Sequence, residues 1–465
     1  MTETITVRSP YDRTIIAERP LQSLDDLSKI YEKAEAVKNG KIPLPLAERI
    51  EILHRAAEIV DKKQNEFAMQ ASAEGGKPLT DSIIELKRAI QGIKEAANSV
   101  SGLVGREIPM NLNAPSQGRF AFTFREPIGI VTSISAFNHP FNLSVHQVIP
   151  AIACGCPVII KPALTTPLSC YNLIECLYEA GLPKEWAQPI LCQDEVAEKL
   201  VTEPRNSFLS FIGSAKVGWK LRSKLPVGAH CALEHGGAAP VILFADADLE
   251  KALPLITKGG FYHAGQVCVS VQRLFCEASV VEGFANALAE QASQLVVGDP
   301  KSSKTEVGPL IMEREVDRVA QWVDEAVAAG GKLLTGGKKI SDTCYQPTVI
   351  LDPPDHCRLS QEEIFGPVVA IYSFKTDEEA ITRANNVPFS FQAAVFGQNM
   401  DRIMNVVKGF SATAVMVNDH TAFRVDWMPF GGRKASGMGV GGILPTMMEM
   451  TQEKLVVLKS DAFLK

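Results

Sequence analysis

Across residues 21–105 apolar positions recur at three- and four-residue spacing, as at Ile50, Leu53, Ala57 and Val60, which predicts amphipathic helices. Gly75, Gly76 and Pro78 interrupt this run, so a further helix is expected to begin near Thr80. Residues 118–126, GRFAFTFRE, alternate apolar and polar side chains and predict a strand with two unlike faces. After Pro127 the pattern changes to short apolar runs at 128–135, 157–162, 189–192, 207–213 and 231–234, with helical periodicity near 142–153, 168–180, 194–201 and 215–225. Runs of that kind are parallel strands buried on both faces. A doubly wound sheet binds its ligand beyond the carboxyl ends of the strands, where Asn138, Lys161, Gly213 with Ser214, and Glu234 fall.

From Pro240 a second alternating unit follows, with apolar runs at 241–244, 273–278, 348–351, 368–374 and 394–397 and helices expected at 281–295 and 314–329. The tail at 451–458 is strand-like, and a terminal strand completes a sheet in its own chain or across a subunit interface. The expected fold class is therefore α/β, with two doubly wound α/β domains and a small β element.

At 465 residues, 46% hydrophobic and 22% charged, the chain can bury large cores in two or three domains. A net charge of -6 without a Lys/Arg cluster argues against nucleic acid as a partner. The polar start MTETITVRSPYDRT lacks the apolar core of a signal peptide, and the most apolar run, 148–160, is broken by Gly155 and Pro157. No membrane association and a cytoplasmic location are expected. Ten cysteines include no CxxC pair, and Cys154 and Cys156 flank a single glycine, so no metal site is expected.

One cysteine stands apart. In FYHAGQVCVS, residues 261–270, Ala264 and Gly265 allow close approach to the backbone, and Gln266, Val267 and Val269 add no charge beside Cys268, whose thiolate could attack a carbonyl. No G-x-G-x-x-G follows the first buried strand, yet FIGSAKVG sets a glycine and a serine between strand and helix, where backbone N–H groups can hold a pyrophosphate. Taken with REPIGIV, AFNHPFN, KPALTTPLS, LEHGG, GQVC, QEEIFGPV and PFGGRKASGMG in this order, the chain resembles the aldehyde dehydrogenase superfamily along nearly its whole length, nearest to its lactaldehyde and semialdehyde branches.

That resemblance implies a dinucleotide-binding domain from 1–104 and 128–236, a catalytic domain from 237–446, and an oligomerisation element from 105–127 and 447–465. It implies oxidation of a small aldehyde to its carboxylate with NAD or NADP. Cys268 would be the nucleophile, forming a thiohemiacetal and then a thioester; Asn138 with the Cys268 N–H would hold the oxyanion, and Glu234 would activate water. Lys161, Gly213, Ser214, Glu363, Phe365, Ser135, Phe137 and Gly236 would contact the cofactor. His139, Val267, Val269, Arg424 and Phe430 are candidate substrate contacts, and Arg424 and His139 would favour a hydroxylated or anionic aldehyde. A homodimer or homotetramer is implied.

Three positions depart from the family pattern. Leu164 stands where NAD-preferring members commonly have a glutamate that binds the ribose 2′-hydroxyl, so NADP should be tolerated, with Thr165 and Thr166 as added donors. Gln452 replaces a glutamate proposed to pass protons from the general base, leaving either Glu453 in that role or none, and VGG at 440–442 replaces an Arg-Glu pair. A CoA-acylating enzyme and a silent structural member are the alternatives. Glu234 argues against the first, and the joint presence of Cys268, Glu234, Asn138, Lys161 and Glu363 against the second. No G-x-S-x-G elbow supports a serine hydrolase.

Overall fold

Three sheets carry the fold in the computed structural model, which describes residues 3–464. In the first, Ile130–Ile134 pairs in parallel with Val158–Lys161 on one side and Asn206–Ile212 on the other. Ala187–Pro189 extends the sheet beyond Val158–Lys161, and His230–Glu234 extends it beyond Asn206–Ile212. The chain thus winds outward in one direction, returns, and winds in the other. The strand order reverses at Ile130–Ile134, and a crevice opens beyond its carboxyl end. Ser135, Phe137 and Asn138 lie in that opening, flanked by Lys161 and by Gly213 and Ser214.

The helix that follows, Pro140–Cys154, is buried at every residue, consistent with its near-continuous apolar sequence. Its first backbone N–H groups need acceptors. Glu85, from helix Leu79–Ser99, accepts from the N–H groups of Phe141 (3.0 Å) and Asn142 (2.9 Å) and pairs with buried Lys77. Lys77 in turn donates to the carbonyl of Asn138 at 3.3 Å. Glu74 caps helix Pro167–Glu179 in the same way, through Leu168 N–H (2.9 Å) and Ser169 N–H (2.7 Å). The helical region before the first sheet therefore fixes two helix starts beside the crevice.

The second sheet has seven strands with Val271–Glu277, Ala239–Leu243 and Gln392–Phe396 at its centre, where the larger apolar core lies. Only four residues separate Glu234, the last of its strand, from Ala239, the first of the next, so LEHGGAA forms the seam between the sheets. One strand from the segment 237–446, Gly437–Met438, pairs antiparallel with His230–Glu234 in the first sheet rather than the second, with Gly437 opposite Glu234.

The strand expected at 118–126 is Arg119–Pro127, and the tail strand Thr451–Lys459 pairs with it along its length. Leu455, Val457 and Leu458 on this outer strand are exposed. An N-terminal hairpin, Thr4–Arg8 with Ile15–Pro20, was not expected, because TITVR is too short and polar for a convincing run. Among the described residues no helix is long and apolar enough to cross a membrane.

Candidate active site

Helix Leu249–Phe261 ends in a turn of unusual backbone: His263, Ala264 and Gly265 are all left-handed, with φ of 50°, 54° and 68°. Two of these carry side chains and are strained, so the surroundings must hold them. Gln266 does much of this. Its amide N donates to the carbonyls of His263 (3.3 Å) and Pro309 (3.2 Å), its amide O accepts from Ile311 N–H (2.9 Å), and its backbone carbonyl accepts from Asn138 Nδ2 at 2.9 Å. A Cβ on Gly265 would run into the carbonyl of Gly366, so the nucleophile loop lies backbone to backbone on the loop carrying Glu363 and Phe365. Cys268 emerges half-buried from this assembly.

Asn138 spends one amide hydrogen on Gln266 and keeps the other. Among the described residues no group accepts from the Cys268 N–H. Both predicted oxyanion donors are thus available on elements fixed to one another. Glu234 lies at the end of its strand with its Oε2 toward Gly441, where a Cβ would stand 3.4 Å from it. Burial raises the Glu234 carboxyl above its ordinary value, opposed by the nearby charge of Arg424. Burial also raises the Cys268 thiol well above its ordinary value, reinforced by Glu234 and Glu363 and opposed by Arg424. The free protein therefore holds a thiol rather than a thiolate at neutral pH. Iodoacetamide alkylation of Cys268 should climb about tenfold per pH unit between about pH 7 and 9 without levelling; a plateau in that interval would contradict this electrostatic picture.

Arg424 stacks over the Phe430 ring, 3.5 Å from its centroid. Burial lowers its basicity, opposed by Glu234, with Asp426 and Cys268 also within electrostatic reach. Among the described residues it makes no ion pair, and its buried Nε has no hydrogen-bond partner. Val267 and Val269 are buried in an apolar cluster with Phe391 and Phe430, joined by Tyr262 and the half-buried Cys268. They wall the thiol with methyl groups. The half-buried His139 ring sits edge-on to Tyr262 and His263, and burial depresses its basicity well below the usual range.

Most residues named for the cofactor stand at or follow the carboxyl ends of strands in the first sheet, while Glu363 and Phe365 come from the loop packed on the nucleophile turn. Lys161 is 6% exposed and its ammonium has no partner among the described residues, while burial lowers its basicity. The hydroxyls of Ser135 and Thr166 are buried and without a partner among the described residues. Ser214 precedes helix Ala215–Arg222 without capping it. Gly213 donates to the Glu234 carbonyl at 3.1 Å, and its own carbonyl meets His235 Nδ1 at 2.8 Å. Glu363 accepts from Gly237 N–H at 3.1 Å and fills the space that a Cβ on Gly236 would need; burial pushes its carboxyl up to about 8. Phe137 and Phe365 meet edge to face, with centroids 5.9 Å apart. Unpartnered donors at one end and an aromatic pair with a carboxyl group at the other fit a dinucleotide.

Sequence reasoning missed Gln266 as a staple and missed a network behind the pocket. Asp426 accepts from Arg88 Nε (3.2 Å) and its terminal nitrogen (2.8 Å), from Asn142 Nδ2 (3.1 Å), and pairs with His146 Nε2 (2.6 Å). Burial alone would raise the Asp426 carboxyl, but its bonds to His146 and Arg88 hold it well below the usual range. Asp426 thereby pins the loop that carries Arg424. The other carboxylate considered at the tail, Glu453, pairs with Arg106 (3.4 Å) and Arg125 (3.8 Å) on the small sheet, while Gln452 is exposed. Among the described residues no cluster of His, Cys, Asp and Glu is arranged to hold a metal ion.

A sequence model described as the Aldehyde dehydrogenase family matches residues 1–456. The chain is 37% identical over 459 residues to a 3-sulfolactaldehyde dehydrogenase of Priestia aryabhattai, covering 98% of this chain and 95% of that protein. Its fold is similar to that of aldehyde dehydrogenase 21 from Physcomitrella patens in complex with the reaction product succinate, at a TM-score of 0.96 and 32% identity, covering 98% of this chain and 95% of that one. It is also similar to glyceraldehyde-3-phosphate dehydrogenase from Methanocaldococcus jannaschii complexed with NADP, at a TM-score of 0.94 and 33% identity, covering 99% of this chain and 100% of that one. With these matches running along nearly its whole length, the chain belongs to the aldehyde dehydrogenase family.

Proposed function

We propose that this protein oxidises a small aldehyde bearing an anionic group remote from its carbonyl to the corresponding carboxylate, using NAD or NADP. The observation that carries the anionic part is Arg424, a guanidinium near Cys268 and Glu234 with no ion-pair partner among the described residues. A partly buried cation with no carboxylate in ion-pair contact is costly, and a substrate anion would supply that contact. Three similar proteins support this reading: two are named for sulfolactaldehyde and glyceraldehyde-3-phosphate, and the third holds succinate. Each of these compounds carries an anionic group.

In the reaction so read, the Cys268 thiolate adds to the aldehyde carbon while Asn138 Nδ2 and the Cys268 N–H hold the developing oxyanion. Bound NAD or NADP supplies the hydride acceptor. The thioester left on Cys268 takes up a water molecule whose proton passes to Glu234, and the thiolate departs with its electron pair. Overall, aldehyde, water and oxidised cofactor give carboxylate, reduced cofactor and two protons. Glu234 beside the thiol favours water over CoA as acceptor. Lys161, Ser135, Gly213 and Ser214 hold the adenosine and pyrophosphate end, and Gly236, Glu363, Phe137 and Phe365 the nicotinamide end. Leu164 leaves no carboxylate to repel a 2′-phosphate, so NADP is accepted.

Exposed Leu455, Val457 and Leu458 on the outer tail strand support assembly into a homodimer or homotetramer through that edge. Ten free cysteines suit a reducing, cytoplasmic location.

Initial rates of reduced-cofactor formation with matched anionic and neutral aldehydes, each with NAD and with NADP, test the reading. Anionic aldehydes should lead, and Leu164→Glu should lower kcat/KM with NADP by about tenfold or more while sparing NAD. Equal rates with neutral aldehydes would remove the anionic assignment, and strict NAD use by the unaltered protein would remove the NADP assignment.

A further inference from the structure

A small cavity of about 30 Å³ lies beside Glu234, on the side of the general base bounded by Gly441 and Thr446. His146, Gln147 and Ser210 form its far wall. Much of its lining is apolar, from Phe211, Ile212, Leu233, Phe430 and Met438, but it also carries polar groups: among the described residues His146 Nδ1 and Gln147 Oε1 are buried and without a partner, and Glu234 Oε2 lies against the Gly441 wall. A buried water requires two to four polar partners, and these acceptors together with the carboxylate provide them. Gln147 is fixed through its amide N to the carbonyls of Ile134 and Ser210, both at 3.0 Å. It can hold a water but cannot carry a proton.

His146 can. Its Nε2 pairs with Asp426 at 2.6 Å, and Asp426, itself gripped by Arg88 and Asn142, stays ionised. That contact places the hydrogen of the neutral ring on Nε2 and leaves Nδ1 an unpartnered acceptor, among the described residues, on a ring that lines the cavity. His146 is 6% exposed and sits on a helix with no other titratable role in the proposed chemistry. The charged groups that face it are Asp426, Arg88 and Arg424; burial and Arg424 push its pKa down to about 4 against the pull of Asp426. It is neutral at rest and is suited to hold a proton only in passing. Of the two tail positions considered for passing the proton, Glu453 is paired with two arginines and Gln452 carries no charge.

We infer that the proton taken by Glu234 leaves through this cavity, passing by way of its water to His146 Nδ1. The inference rests on the proposed hydrolysis of a Cys268 thioester. During that step water adds to the acyl carbon and Glu234 takes its proton. The proton moves through cavity water to His146, whose imidazolium form is stabilised by Asp426, and then returns to solvent; nothing is oxidised or reduced. His146 is a positioning residue that acts through water and Glu234.

An activated ester such as p-nitrophenyl acetate acylates a thiol without any cofactor, so hydrolysis of the acyl-enzyme can be followed in isolation. The variant is His146→Gln, whose amide can keep the bond to Asp426 but cannot accept and pass on a proton. The expected result is an unchanged acylation burst with acyl-enzyme hydrolysis slowed about tenfold or more. The slowed step should recover with rising pH and with added imidazole buffer. Hydrolysis at the unaltered rate, or burst and hydrolysis falling together with no response to buffer, would overturn the relay. A proton inventory of hydrolysis on the unaltered protein gives an independent check: a bowed curve is expected and a straight line contradicts. If Glu234→Gln also hydrolyses its acyl-enzyme normally, the proposed function itself fails. If only His146→Gln does, the relay alone fails.

Discussion

Replacing Arg424 with methionine lowers kcat/KM for an anionic aldehyde by about 10- to 150-fold and leaves a neutral aldehyde of equal length little changed. The magnitude is that of a hydrogen bond to a charged group, about 1.5–3 kcal/mol. The guanidinium itself stacks on Phe430, and methionine can fill much of that space with an apolar side chain, so the variant removes charge more than packing. The same substitution withdraws the one cation that offsets Glu234 and Glu363 at the thiol. Alkylation of Cys268 at a fixed pH of about 8 should therefore slow. Equal losses with anionic and neutral substrates would mean that Arg424 supports the loop rather than the substrate.

Replacing Glu234 with glutamine drives two observables in opposite directions. Turnover falls by about 100- to 10,000-fold, the range for a lost general base, and reduced cofactor stops accumulating after one equivalent per site. Cys268, relieved of a neighbouring carboxylate that raises its pKa, is alkylated faster than in the unaltered protein at the same pH. A general disruption of the site would slow both reactions. Stopped-flow absorbance of the reduced nicotinamide and iodoacetamide kinetics separate the two cases.

Much of this was legible in the sequence. Buried parallel strands are written as continuous apolar runs, so Ile130–Ile134 and Asn206–Ile212 could be found, as could the half-exposed His230–Glu234 through its short CALE run, and with them the strand ends where Asn138, Gly213 and Glu234 stand. Cys268, Lys161 and Glu363 came from short motifs in a recognisable order. What was not legible depends on distance along the chain. Arg88 and Asp426 are 338 positions apart, and each alone reads as an ordinary helix or loop charge. His146 lies on a helix that is buried all round, where a single histidine gives no periodic signal. Gln266 was counted only as an uncharged neighbour of the thiol, because its role depends on carbonyls at 263 and 309 that the fold brings to it. The left-handed backbone at His263 and Ala264 had no sequence signature, since neither residue is a glycine.

The claim on which the rest depends is that the aldehyde is oxidised while bound covalently to Cys268. It is tested most directly by acid-quenching the protein during turnover with an anionic aldehyde and NADP, then measuring the mass of the peptide that contains Cys268. The account predicts an acyl adduct on Cys268 that is enriched in Glu234→Gln and absent from Cys268→Ala, which forms no reduced cofactor. Reduced cofactor formed by Cys268→Ala, or formed by the unaltered protein with no adduct at any quench time in either Cys268-containing form, would contradict it.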